Sequence, residues 1–153
     1  MSGHFDYHEM QEFRQKVQQL DDATRSKFYE DCAKELAARL LGKVIKRTPV
    51  GVYPPGSGKV GGTLRRGWTG GKNSKATAYA NAQTVTHSGH DYIITITNPT
   101  EYASYVESGH RTRNHKGWVK GQFFLRISEK ELMQSAPGVL ERKIDAFLKG
   151  YLK

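Results

Sequence analysis

Three groups of residues have types and spacings that could do chemistry. The first is GVYPPGSGKVGGT, Gly51 to Thr63, whose glycines, lysine and threonine suggest a loop that cradles a phosphate. Such a loop needs Gly, four residues, then Gly-Lys and a hydroxyl residue, so that backbone amides and a helix N-terminus meet the phosphate. Gly51 and Gly56 have that separation, but Ser57 stands where the lysine belongs, and Val60 follows Lys59 where Ser or Thr is needed. A long helical pattern leads into the stretch and none follows it, which reverses the required order. A turn-rich, flexible loop stiffened at Pro54-Pro55 is the simpler reading. The second group is histidine: His4 with His8, His87 with His90, and His110 with His115. No carboxylate or cysteine partner completes a recognisable metal site around them, and Gly109 to Phe124 holds no acid to support metal-assisted hydrolysis. The third group is nucleophiles. Cys32 falls on the apolar face of a helical pattern, and no serine has a Gly-x-Ser-x-Gly setting. These residues therefore imply no catalytic site, no cofactor and no metal, and a nuclease-like enzyme is the weakest of the readings open to the chain.

The elements that must position these residues follow from the pattern. At 153 residues the chain is read as one domain, 1–153. Phe13, Val17 and Leu20 recur at helical spacing within a short amphipathic helix over Phe5 to Leu20. Asp21 and Asp22 offer an N-cap to a second helix, about Ala23 to Lys46, with Phe28, Cys32, Leu36, Ala37, Leu40, Leu41 and Val44 on one face. Thr48-Pro49 ends it, because the residue before proline is disfavoured in helical geometry. A long basic Gly/Pro-rich loop at about 49–75 has Leu64 and Trp68 as its strong apolar anchors. Two strands, about Ala76 to Thr86 and Tyr92 to Asn98, then form an antiparallel hairpin across His87 to Asp91. Thr100 caps a helix from about Glu101 to Ser108, stopped by Gly109. After the polar loop HRTRNHKGWVKG come a helix over Gln122 to Ser135 and a last one opened by Pro137. The fold class is α+β, a small antiparallel sheet including the hairpin at about 76–98, flanked by long helices.

Charge adds a constraint. The net charge is +9, and no acid lies between Glu35 and Asp91, while Arg39, Lys43, Lys46, Arg47, Lys59, Arg65, Arg66, Lys72 and Lys75 do. The remaining 15 bases match the 15 acids, so the excess sits in mid-chain. Such a block suits nucleic acid or an acidic protein surface. One cysteine allows no intrachain disulfide, and the acids and histidines of MSGHFDYHEMQEF do not read as a secretory signal. The expectation is a protein made and kept in a reducing cytoplasm, with no membrane partner.

Three segments together are more specific than any one of them: Thr48-Pro49-Val50 at a helix exit, Gly62-Thr63-Leu64-Arg65-Arg66-Gly67-Trp68 in the basic loop, and Tyr102-Ala103-Ser104-Tyr105-Val106-Glu107-Ser108-Gly109-His110-Arg111 after the hairpin. In that order, over roughly residues 25–150, they resemble the neck and tail-completion family of long-tailed bacteriophages. The inserted YPPGSGKVGG and the tail GWVKGQFFLRISEKEL are similar to the branch found in defective prophages and contractile, phage-tail-like particles. The resemblance implies a non-enzymatic virion protein, a ring subunit, hexameric in the family, at the head-proximal end of the tail. There it would terminate or complete the tail, or join it to the head, touching tube, sheath or neck proteins. Ring contacts favour aromatic and arginine anchors. The candidate interface residues are Arg47, Pro49, Leu64, Arg65, Arg66, Trp68, Tyr102, Tyr105, Gly109, His110, Arg111 and Trp118, with Glu107 as an acidic partner for an arginine. Gly51 to Lys75 is expected to be loose in the free subunit and ordered on assembly. The alternative is a basic nucleic-acid-binding module acting on DNA in the neck.

Overall fold

The computed structural model describes residues 22–151, together with Gln11, Glu12, Gln15, Gln18 and Leu20. The expected Phe5 to Leu20 helix lies mostly outside the described residues, as do Asp21, His4 and His8. Gln11, Glu12, Gln15 and Gln18 are helical, and Leu20 is buried.

Helix α1 (Asp22–Arg47) is the axis of the molecule, as its apolar stripe predicts. Asp22 in its first turn and Lys46 and Arg47 in its last complement the helix dipole. Its buried face, Ala37, Leu41 and Val44, joins Leu64, Trp68, Ala80 and Phe124 in the hydrophobic core. The basic loop contributes a short helix, α2 (Thr63–Gly67), which buries Leu64. The sequence pattern predicts no helix here, because five residues are too few to show a period.

The first expected strand is a correction. Ala76 to Asn81 forms helix α3 (Ala76–Asn81) packed on α1. Alanine is the strongest helix former, and helical spacing turns Ala76, Tyr79 and Ala80 together onto the core, with Ala80 wholly buried. The hairpin itself is present but short. Strands β1 (Thr86–Ser88) and β2 (Asp91–Ile93) pair antiparallel, with Ser88 opposite Asp91. Gly89, at φ 61°, takes the first position of the two-residue turn, where a primed turn needs positive φ. The Tyr92 ring packs on Tyr29 of α1 at 5.3 Å and its hydroxyl lies 3.1 Å from Ser26 Oγ, which docks the hairpin.

Helix α4 (Ala103–Ser108) leads directly into a second hairpin within the expected basic loop: β3 (Gly109–Arg111) pairs with β4 (Trp118–Lys120), Arg111 opposite Trp118. The small sheet is thus two separate two-stranded sheets. The two C-terminal helices are a second correction, since α5 (Phe124–Tyr151) runs unbroken through Pro137. An internal proline costs about 3 kcal/mol, but Leu125, Ser128, Leu132, Ala136, Val139, Lys143 and Phe147 keep one helical stripe across it. That stripe packs on α1, ending with Phe147 stacked on Phe28 at 4.3 Å. The continuous packing outweighs the one lost hydrogen bond. The class remains α+β.

Candidate functional site

Two of the three sequence segments meet at Thr48. This residue is wholly buried, and its amide and Oγ1 both donate to the Val44 carbonyl, at 2.9 and 2.6 Å. Its Oγ1 in turn accepts the indole N–H of Trp68 at 2.8 Å. The Arg65 guanidinium donates to the Thr48 carbonyl through Nε at 3.1 Å and Nη2 at 2.8 Å. Carbonyls at a helix C-terminus lack intrahelical donors and carry partial negative charge, so a cation that hydrogen-bonds one of them satisfies both needs. Thr-Pro-Val and Leu-Arg-Arg-Gly-Trp are therefore one unit. The Arg66 Nη1 donates to the Gly61 carbonyl at 3.2 Å, and Gly61 lies against the Gly51 carbonyl, which closes the base of the exposed loop from Gly51 to Val60.

The third segment is tied in by Asn98, whose side-chain amide donates to the Leu64 carbonyl at 2.7 Å while its Oδ1 accepts from the Thr100 amide at 3.1 Å. Thr100 does not cap α4 through its side chain; it contributes its carbonyl to the Ala103 amide at 3.0 Å. Among the described residues Glu107 forms no ion pair with an arginine side chain. Its two carboxylate oxygens accept the amides of Leu125 and Arg126, each at 2.9 Å, and so cap α5.

A different surface lies at α4 and the second hairpin. Trp118 is 62% exposed and Tyr105 58%, with Tyr102 and Val119 also exposed. The Trp118 indole nitrogen reaches over Gly109, and the Tyr105 ring meets His110 edge-on at 5.9 Å. His110 Nδ1 is a buried side-chain atom without a hydrogen-bond partner among the described residues. At the hairpin tip Thr112 is bonded to Asn114 at 2.6 Å and accepts from the Gly117 amide at 3.0 Å, which fixes the turn carrying Arg113 and Lys116.

Burial pushes the Cys32 thiol above its ordinary range, only partly offset by Lys143. Among the described residues no three His, Cys, Asp or Glu side chains are grouped to hold a metal, and no helix is long and apolar enough to cross a membrane. The combination is a buried motif scaffold presenting an exposed aromatic and arginine surface. Residues 11–109 match the family described as "Bacteriophage HK97-gp10, putative tail-component". The chain belongs to this HK97-gp10-like family.

The family is one of bacteriophage tail components, and membership supports a structural role within the virion. The matched range ends at Gly109, short of the 25–150 over which the motifs resemble tail-completion proteins, so all but the first residue of the second hairpin, and the whole of α5, lie beyond it. No curated protein and no solved structure matches the chain.

In this HK97-gp10-like protein the candidate residues divide in two. Arg47, Pro49, Leu64, Arg65, Arg66, Trp68, Glu107 and Gly109 hold or border the scaffold, with Leu64 and Trp68 inside the core. Tyr102, Tyr105, His110, Arg111 and Trp118 form the end surface. Sequence reasoning missed Thr48's side chain, Asn98, Val119 and Glu131. The last pairs with Arg47 and, at 3.2 Å, with Lys43, which joins α5 to α1.

Hydrogen bonds from Arg47 first and Lys43 second hold the Glu131 carboxyl below the usual carboxylate range. A depressed folded-state pKa contributes stability above the unfolded pKa that is lost as pH falls through the folded value. The stability difference between the natural protein and Glu131→Gln is therefore expected to be constant near neutrality and to shrink under acid, below the ordinary glutamate range. Urea unfolding at a series of pH values checks this, and a pH-independent difference would remove the ion pairs as its cause.

Proposed function

We propose that this protein is a ring-forming, non-enzymatic subunit at the head-proximal end of a phage or phage-tail-like tail, which terminates the tail or joins it to the neck. The observation that carries the reading is the Tyr105–Trp118 surface. Large aromatics exposed beside Arg111 and Arg113, on a hairpin whose tip is fixed by its own hydrogen bonds, have the composition of an interface anchor. Family membership supports the tail, and the resemblance of the Tyr-Ala-x-Tyr-Val-Glu-x-Gly-His-Arg segment supports its completion end and a hexameric ring.

Deletion of the gene is expected to leave tails of uncontrolled length, or tails that do not join heads, in negative-stain micrographs. Normal particles would end the proposal. Trp118→Ala is expected to keep the melting temperature of the isolated subunit and to weaken its assembly by about tenfold or more, the effect of losing one aromatic hot spot.

The DNA-binding alternative keeps the exposed Lys59, Lys72 and Lys75, but the guanidiniums of Arg65 and Arg66 already hold carbonyls of the chain. Salt-sensitive binding of duplex DNA by the purified protein would favour it.

A further inference from the structure

YIITITN is the most strand-like stretch of the sequence, yet only its first two residues are paired, within β2. From Tyr92 to Asn98 burial still alternates as in a strand: Tyr92, Ile94, Ile96 and Asn98 point toward the protein, and Ile93, Thr95 and Thr97 point out. Ile94 and Ile96 pack against the core cluster. Among the described residues, no backbone hydrogen bond reaches Ile94, Thr95, Ile96 or Thr97. A β-branched, extended segment with unpaired amides and carbonyls is a template for another strand. Beside it runs a groove of about 500 Å³, with Leu36 and Leu40 of α1 and Leu125 and Leu132 of α5 among its lining. Among the described residues, Glu129 is the one charged residue lining that groove.

The same chain carries the complement. Strand β4 is exposed along its whole length and has Trp118 and Val119 on opposite faces. Its hairpin belongs to a stretch, Gly109 to Ser128, that has no acid and carries Arg111, Arg113, Lys116, Lys120 and Arg126. Trp118 stands in solvent, so the arm is not seated in its own groove.

We propose that β4 of one subunit adds as a strand to the Ile94–Thr97 edge of the next copy of this chain. Backbone hydrogen bonds supply the pairing, Trp118 enters the apolar groove, and Lys120, on the same face two residues on, approaches Glu129. Donor and acceptor are different surfaces, so the contact is head-to-tail, the kind that closes rings. This inference rests on the ring reading above and names the contact that builds the ring.

Cross-linking of the full chain tests it. In a Cys32→Ser background, Thr95→Cys and Thr97→Cys, each outward on the edge, are mixed separately with Val119→Cys, and a short bismaleimide is added. Covalent dimers are expected in a mixture, and not from any variant alone. Oligomers or particles that contain the protein but give no mixed dimer at either position would overturn the proposed contact while leaving the ring reading intact. Dimers from Thr95→Cys alone would overturn it too, in favour of two edges pairing about a two-fold axis. A protein that neither oligomerises nor enters tails would sink both readings. As a second variant, Thr95→Pro removes an amide hydrogen that has no partner among the described residues. It is expected to leave the subunit's melting temperature unchanged and to weaken self-association about tenfold or more. Unchanged self-association would count against the strand addition.

Discussion

Trp68→Ala is expected to destabilise the fold by about 3–5 kcal/mol, the usual cost of truncating a buried large aromatic. Domains of this size are stable by only about 5–15 kcal/mol, so the variant should be largely unfolded at modest urea concentrations. Trp68 is 3% exposed, belongs to the hydrophobic core cluster and meets Phe124 edge-on at 6.1 Å. Its loss removes apolar burial, opens a cavity between α1 and α5, and takes the donor from Thr48 Oγ1. Trp68→Phe separates these terms. It retains most of the ring volume and loses the 2.8 Å indole bond, for about 0.5–1.5 kcal/mol plus any packing mismatch. Urea unfolding followed by circular dichroism measures both. If the alanine variant lost less than the phenylalanine variant, packing would not be the role of this residue.

What was legible in the sequence follows the length of each pattern. Helix α1 repeats its apolar face from Phe28 to Val44, about four turns, and the structure places the helix within one residue of its expected bounds. The Ala76 to Thr86 stretch misled because alanines at alternate positions look like weak strand alternation and are equally good helix. Only the close fit of Ala80 onto α1 decides between them, and that is tertiary information. Pro137 misled in the opposite way. Proline is a good local stop signal, but the apolar stripe on either side of it stays in phase, and a pattern in phase across a breaker was the signal for one helix.

The candidate site divides along the same line. Composition identified the aromatic and arginine residues, and the order of the three segments identified the family. It did not show which of them face solvent. Trp68 and Trp118 are the same residue type beside similar basic neighbours, yet one donates to a buried threonine and the other stands on a hairpin in solvent. Arg65 likewise reads in sequence as an interface anchor and Glu107 as an acidic partner for an arginine. Each instead satisfies a helix end, Arg65 the carbonyls of α1 and Glu107 the amides of α5. Capping partners 17 and 18 residues away in sequence leave no periodic trace.

Gly109→Ala is expected to be the most damaging small substitution at the end surface, because two independent constraints act on one residue. Its backbone, at φ 88° and ψ 170°, lies in a region essentially reserved for glycine, at a cost of about 1–3 kcal/mol for any other residue. A β-carbon there would also stand 2.5 Å from the Val119 carbonyl oxygen, 2.8 Å from the Gly121 amide and 2.9 Å from the Trp118 indole nitrogen. Two of those neighbours are backbone and cannot turn aside, so overpacking adds typically about 1–3 kcal/mol more. Relief requires β3 to separate from β4, which would also move the Trp118 arm and disturb assembly. Gly42→Ala is the contrast. Gly42 lies within α1, has no atom within 4 Å of the added β-carbon, and has no positive φ. Alanine there should stabilise by about 0.4–1 kcal/mol through helix propensity and a less flexible unfolded chain. One chemical change with opposite signs at two sites is a strict test. Thermal melts of the two variants that moved in the same direction would show that the Gly109 geometry does not constrain the fold as argued.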